Sequence, residues 1–507
     1  MLNLGSRRWW ALGALAIALI TFGLDMTILN VALPTVAGDL DATTSQLQWV
    51  VNAYTLVTAA VLLPAGLLGD RYGRKAFLLV GLTLFGLASV ACAYAPSIQV
   101  LIAARAALGV GAAFMVPLSA SMVMVMFSPA ERSRAIGIWA ASMAVGVPIG
   151  PVLGGWLLEH FWWGSVFLIN VPLIVVGVIA LGWLLPSTAG QNNDRIDVYG
   201  VSVSSLGLVA LTYGLVRAGD HGWASGWALA TMGAGIVMLV LFAWNLRRSA
   251  HPLVDPQLFS SPGFTWGSIV ATIASFAMIG AIFVLPQYFS VVGGHDAMGA
   301  GLRLLPLLGG LLVGVKIADF IRPGLGAKLV VGPGFILLAG AAVLGTTAGT
   351  DQNMALLVWW TTLFGAGLGM TLPPAMDIAL GALDPETSGA GTAVTQSLRQ
   401  VGGTFGVAVL GAVLNAGYRA HVDTGAMPAD LTHRIHDSPE AAILIADKTG
   451  AGGLLDSVQT AFVVGMDHLL WVCAAVAIGG AIVTWLFLPA RPADVIRSQW
   501  ERDHAFE

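Results

Sequence analysis

Gly66-Leu67-Leu68-Gly69-Asp70-Arg71-Tyr72-Gly73-Arg74-Lys75 sets one acidic residue among spaced glycines, between two long apolar runs. Glycines let neighbouring helices approach closely. Asp70 can meet a facing helix's positive N-terminal end or a nearby arginine, and such a pair can latch one of two packings. A turn anchored by basic residues accounts for Arg74 and Lys75. It does not account for the carboxylate among the glycines.

The flanking runs are two of many. The chain has 507 residues, 57% of them hydrophobic and 10% charged, with a mean hydropathy of +0.83. A soluble domain carries about 25% charged residues. Apolar runs long enough to cross a bilayer core of about 30 Å recur along the whole length. We place spans at 9–31, 46–67, 76–95, 98–126, 134–158, 163–185, 198–217, 223–246, 263–290, 299–320, 327–347, 353–376, 389–416 and 464–488. Fourteen spans put both termini on one side. With the N-terminus inside, fifteen Lys and Arg fall in inner segments and four in outer ones. That bias makes both ends cytoplasmic. Arg7 and Arg8 run straight into Trp9–Leu24 with no small-residue cleavage site, so the first run is expected to be a retained helix. No stretch is basic enough for nucleic acid. Cys92 and Cys473 lie in apolar runs with no paired spacing and read as inert core residues, and no metal-ligand cluster is present.

The loops are short except in two places. Spans 198–217 and 223–246 sit between polar stretches, as an insert at 187–262 between six-helix halves 1–186 and 263–507. The outer segment 417–463 is long and polar, with helix-forming pieces around Pro428–Ile435 and Pro439–Lys448. It reads either as a hairpin that gates an exit path or as a folded loop with no transport role.

A degenerate echo of the opening run appears in the second half: Gly314-Val315-Lys316-Ile317-Ala318-Asp319-Phe320-Ile321-Arg322, then Gly326-Ala327-Lys328. Two related halves should show such a repeat. Asp319 is then a second latch residue, with proton carriage the other reading. Gly146-Val147-Pro148-Ile149-Gly150-Pro151-Val152-Leu153-Gly154-Gly155 combines glycines for a tight seam with prolines that remove backbone donors. In Leu24-Asp25-Met26-Thr27-Ile28-Leu29-Asn30-Val31-Ala32-Leu33-Pro34, Asp25 lies inside an apolar span, where a carboxylate is expensive unless paired, hydrated or protonated. Arg105 in the fourth span must find acceptors. It lies about seven residues from the outer end of its span and Asp25 about six, so at about 1.5 Å per residue they share a depth.

The run at 66–75 closely resembles the cytoplasmic signature of the major facilitator superfamily. The run at 146–155 matches the antiporter signature of that superfamily, and the run at 24–34 matches the first-helix signature of its 14-helix drug/proton antiporter branch. Further runs extend the likeness in the right order: Trp163–Pro172, Leu285–Tyr288, Gly301–Pro306 and Arg399–Gly403. The resemblance implies an all-α membrane protein of two six-helix bundles plus two inserted helices. It also implies a proton-coupled exporter of lipophilic, often cationic, compounds, such as quaternary ammonium compounds, dyes and antibiotics. The alternative is a dedicated exporter of one endogenous metabolite, antibiotic or lipid precursor.

The same resemblance gives Asp25 a part in proton coupling or cation recognition, modulated by Arg105 directly or through a polar residue. Leu108 stands where the family usually has a polar residue. Polyspecific relatives carry acidic residues in helices 2, 10 and 13; here the corresponding places hold Asn52, Leu311, and Thr395, Gln396 and Gln400. Asp25 is left as the main deep carboxylate, and fewer protons per cycle are expected. Asp377, near the inner end of the twelfth span, either titrates or caps a helix end. Substrate contacts are sought at polar and aromatic midpoints: Asn52, Tyr54, Trp139, Phe276, Phe283, Gln287 and Gln396, beside Asp25. The latch residues are Gly66, Asp70, Arg71, Gly73 and Arg74, with Asp319. The antiporter residues are Gly146, Pro148, Gly150, Pro151, Gly154 and Gly155. With no Gly-rich loop ending in Lys-Ser or Lys-Thr, ATP is not expected as the energy source. The expected partners are small substrates, protons and the lipid of a bacterial inner membrane. The expected unit is a monomer with no cofactor and no catalytic step.

Overall fold

The computed structural model describes residues 4–127, 129–186, 197–222, 225–246, 248, 256–351, 353–383, 388–425, 427–449 and 452–489. Most of the linker regions at 187–196 and 247–255 lie outside it, as do the side chains of Asp70 and Pro148. Among the described residues the chain is helical, with no strand.

The helices in chain order are α1 (Leu4–Asp39), α2 (Thr44–Tyr72), α3 (Arg74–Ala93), α4 (Ile98–Met126), α5 (Pro129–His160), α6 (Ser165–Leu168), α7 (Asn170–Leu184), α8 (Val198–His221) and α9 (Gly226–Leu246). A 3-10 turn, Pro256–Ser260, leads into α10 (Pro262–Val291). Then follow α11 (Ala297–Arg303), α12 (Leu305–Leu325), α13 (Lys328–Gly345), α14 (Met354–Gly381), α15 (Ser388–His421), α16 (Ala429–Asp437), α17 (Pro439–Thr449) and α18 (Gly452–Phe487). Local chemistry starts several of them. Thr43 and Gln46 form a reciprocal capping box at α2, and Ser97 and Asn353 cap α4 and α14. Pro262 occupies the first turn of α10, where its missing N–H costs nothing.

Among the described residues, twelve helical segments are long and apolar enough to cross a membrane. The two other expected spans, 46–67 and 134–158, fall within α2 and α5, which run for 29 and 32 residues. The outer segment 417–463 contains less loop than expected. α15 continues to His421 and α18 begins at Gly452, because both extend as helices past the apolar run that marked them. The two helix-forming pieces between them are α16 and α17.

The chain divides into two compact units, Met1–Leu253 with His295–Leu302, and Val254–Gly294 with Arg303–Glu507. Their internal pairings repeat. In the first unit α1 packs on α5, α2 and α3 on α4, and α7 on α1 and α3. In the second, α10 packs on α15, α12 and α13 on α14, and α18 on α10 and α13. α8 and α9 pack on each other, and α8 lies on α2, where Ser205 donates to Ala60 O.

Between helices in lipid there is little hydrophobic drive, so close backbone approach decides the packing. The α1–α5 seam shows this. A Cβ on Gly146 would collide with Ile20 O, and one on Gly150 with the Thr27 hydroxyl and, at 2.9 Å, Leu24 O. On Gly154 it would meet Ile28 at 2.9 Å, and from the other side Gly23 faces Met143 O. The antiporter run is therefore the surface on which the Asp25 helix lies.

Candidate functional site

Four helices and a helix break converge on Asp25, which has 0% exposure. Arg105 on α4, 2% exposed, donates from Nη1 to Asp25 Oδ2 at 2.8 Å and from Nε to Val50 O on α2 at 3.2 Å. One turn below Val50, the Tyr54 ring lies under the guanidinium at 4.3 Å, and Phe167 on α6 stands 5.9 Å away. The ion pair, the carbonyl and the aromatic faces stand where water would otherwise solvate the guanidinium.

Asp25 Oδ1 is met by Asn170 Nδ2 at 3.0 Å. A carboxylate only accepts, so this contact sets the amide's orientation. The helix breaks at Ile169 between α6 and α7, which brings Asn170 to the first position of α7 and deep into the unit. Its Nδ2 also reaches Ser89 Oγ on α3 at 3.5 Å. Both carboxylate oxygens thus hold donors. Asn170 Oδ1 and the Tyr54 hydroxyl have no hydrogen-bond partner. Among the described residues the site holds no nucleophile–base arrangement.

The other expected residues are spread widely. Asn52 is buried, about 200° round α2 from Val50. Trp139 on α5 donates from Nε1 to Ser119 Oγ on α4 at 2.9 Å. In the second unit, Phe283 and Gln287 are buried on α10, with Gln287 Nε2 donating to Phe283 O at 2.9 Å. Phe276 is half-buried on the same helix, and Gln396 on α15 accepts from Arg399. Asp377 on α14 and Asp319 on α12 are exposed. At the first latch, Gly73 has φ 116° and ends α2 with its N–H on Gly69 O at 2.9 Å, a conformation that needs glycine. A Cβ on Gly66 would lie 3.9 Å from Pro117 on α4, an ordinary contact, and Arg71 lies over Tyr72. Arg74 opens α3, and the neighbouring Lys75 donates to Gly182 O and Leu185 O, capping the C-terminal end of α7.

Asn170, Ser89 and Phe167 were not singled out by the sequence. An asparagine inside the apolar run Ile169-Asn170-Val171 was the available signal for the first.

Repeated helical units and helices of membrane-spanning length define a multi-pass membrane protein. The sequence profile of the Major Facilitator Superfamily matches residues 15–407, and the chain belongs to that superfamily. It is 31% identical to the tetracenomycin C resistance and export protein of Streptomyces glaucescens, over 97% of this chain and 93% of that one. It is 32% identical to the multidrug efflux pump LfrA of Mycolicibacterium smegmatis, over 94% and 96%. A bacterial homolog of the human lysosomal transporter Spinster, inward-facing and unoccupied, shares the fold with a TM-score of 0.66 at 16% identity, over 94% of this chain and 98% of that one.

Proposed function

We propose that the chain is a proton-coupled antiporter that exports lipophilic, often cationic, compounds across a bacterial inner membrane by alternating access. Fourteen spans with both termini cytoplasmic, working as a monomer, complete the reading. The observation that carries it is the buried Asp25–Arg105–Asn170 constellation, packed against the antiporter run in a chain whose relatives bear drug-efflux names. In this scheme a proton from outside neutralises Asp25 as substrate leaves, and its release inward restores the ion pair for the next substrate. Asp25, Asn52, Tyr54, Trp139, Phe276, Phe283, Gln287 and Gln396 are the candidate substrate contacts, with Asp70 and Asp319 as latch residues and Asp377 as a second candidate titrating group.

Ethidium efflux from energised cells tests this with wild type and Asp25→Asn, with and without a protonophore. Loss of efflux in both treatments is the expected outcome. Efflux insensitive to both would refute the coupling scheme. A second reading, export of a single antibiotic or metabolite, is favoured by the relative named for tetracenomycin C alone. Robust expression with no ethidium efflux would select it.

A further inference from the structure

Arg105, which is buried, and Arg399, which is half-buried, differ in their partners. Arg105 in the first unit is balanced by Asp25. Arg399 on α15, in the second unit, donates from Nε to Ser275 Oγ on α10 at 3.1 Å and from Nη1 to Gln396 Oε1 at 2.6 Å. Both partners are neutral, and among the described residues no carboxylate pairs with it. Even half-buried, a guanidinium in an apolar bundle is costly without an anion.

The geometry leaves donors for one. A guanidinium only donates, so Gln396 must turn Oε1 toward Arg399 and direct its Nε2 elsewhere. Arg399 Nη2 and Gln396 Nε2 have no hydrogen-bond partner among the described residues, and neither is sealed off from its surroundings. The pair rests on a rigid base, because Gly402, one turn further along α15, lets that helix close on Thr272 of α10, where a Cβ would lie 2.5 Å from Thr272 O. Half-buried Phe276 follows Ser275 on α10.

We propose that Arg399 Nη2 and Gln396 Nε2 form a recognition site for a carboxylate carried by an otherwise apolar substrate. Two neighbouring donors, one of them charged, match the two oxygens of a carboxylate. The inference rests on the export reading and adds acidic amphiphiles to its substrate chemistry.

The test uses the full-length protein in nanodiscs at neutral pH, with 9-anthracenecarboxylate and its methyl ester as fluorescent probes. Wild type should prefer the acid over the ester by about tenfold, the scale of one charge-assisted contact. Arg399→Gln should lose that preference, with Arg399→Lys retaining part of it as a charge without the fork. Equal affinity of wild type for acid and ester overturns the proposal. So does an Arg399→Gln protein that weakens acid and ester alike, since that is the signature of a clamp between α10 and α15. If Arg399→Gln does not fold, Gln396→Leu must lower the preference, and an unchanged preference there also overturns it. The binding preference needs no proton gradient, so failure of the coupling scheme, read by Asp25→Asn efflux, is a separate result.

Discussion

Asp25 and Arg105 stabilise this protein only as a pair. Removing one member leaves a charge in an apolar bundle, at a cost of about 3–5 kcal/mol, whereas neutralising both is far milder. Arg105→Gln should therefore lower the melting temperature of purified protein more than the double variant Asp25→Asn/Arg105→Gln does. A double variant less stable than Arg105→Gln would mean that the pair is not coupled as the 2.8 Å contact requires. Asn170→Leu removes the donor on Asp25 Oδ1 and should cost about 1–3 kcal/mol while moving the pH profile of efflux. A profile unchanged in position would make Asn170 a packing residue alone.

Elements carry different predictions. The α1–α5 seam admits no side chain at Gly150, whereas Gly177 on α7 has nothing within 4 Å of an added Cβ. Gly150→Val should abolish efflux or expression, and Gly177→Ala should leave both near wild type. Equal effects would contradict the seam. Outside the spans, the hairpin of α16 and α17 is tied to α15 by Tyr418, whose hydroxyl donates to Ile435 O, and by the Arg419–Asp437 pair at 2.8 Å. His433 also meets Asp437.

Glu440, in the first turn of α17, is 8% exposed, and its Oε1 has no hydrogen-bond partner. Burial pushes its carboxyl above the usual carboxylate range, opposed by hydrogen bonds from its own backbone and from Ser438. A carboxyl raised by folding favours the folded hairpin when protonated. That stability is present below its unfolded pKa and fades as pH rises through the raised value. Hydrogen exchange in 429–449, corrected for intrinsic rates, should show more protection on the acid side than at neutral pH. Glu440→Gln should flatten that dependence. The opposite slope would remove Glu440 as its cause.

At the scale of the whole molecule, the two units repeat the same internal pairings, as two related transporter halves should. The charge bias predicts a cytoplasmic C-terminus and an outer hairpin. A reporter that fluoresces only in the cytoplasm should light up when fused after Glu507. An alkaline phosphatase active only outside should work when inserted near Asp423. The reverse pattern would invert the topology. Cations expected on the inner side also hold one end of the first unit: Arg8 pairs with Glu131, and Lys75 caps α7.

The helical class and the approximate spans could be read from composition and hydropathy, because lipid demands long apolar helices with every backbone group paired internally. The glycines of the run at 146–155 were legible as a tight seam, since only small residues let backbones meet, but the partner helix was not. Asp25 was legible as a costly charge, and Arg105 as its neighbour in depth. Depth is one coordinate, however, and helix rotation supplies the others. Only the tertiary structure brought Asn170 onto Asp25 through the break at Ile169, and set Asn52 on the opposite side of α2 from Tyr54. It also left Arg399 facing two neutral partners on α10 and α15. Each of these depends on which faces of separate helices meet, and that is decided by packing among segments far apart in the chain.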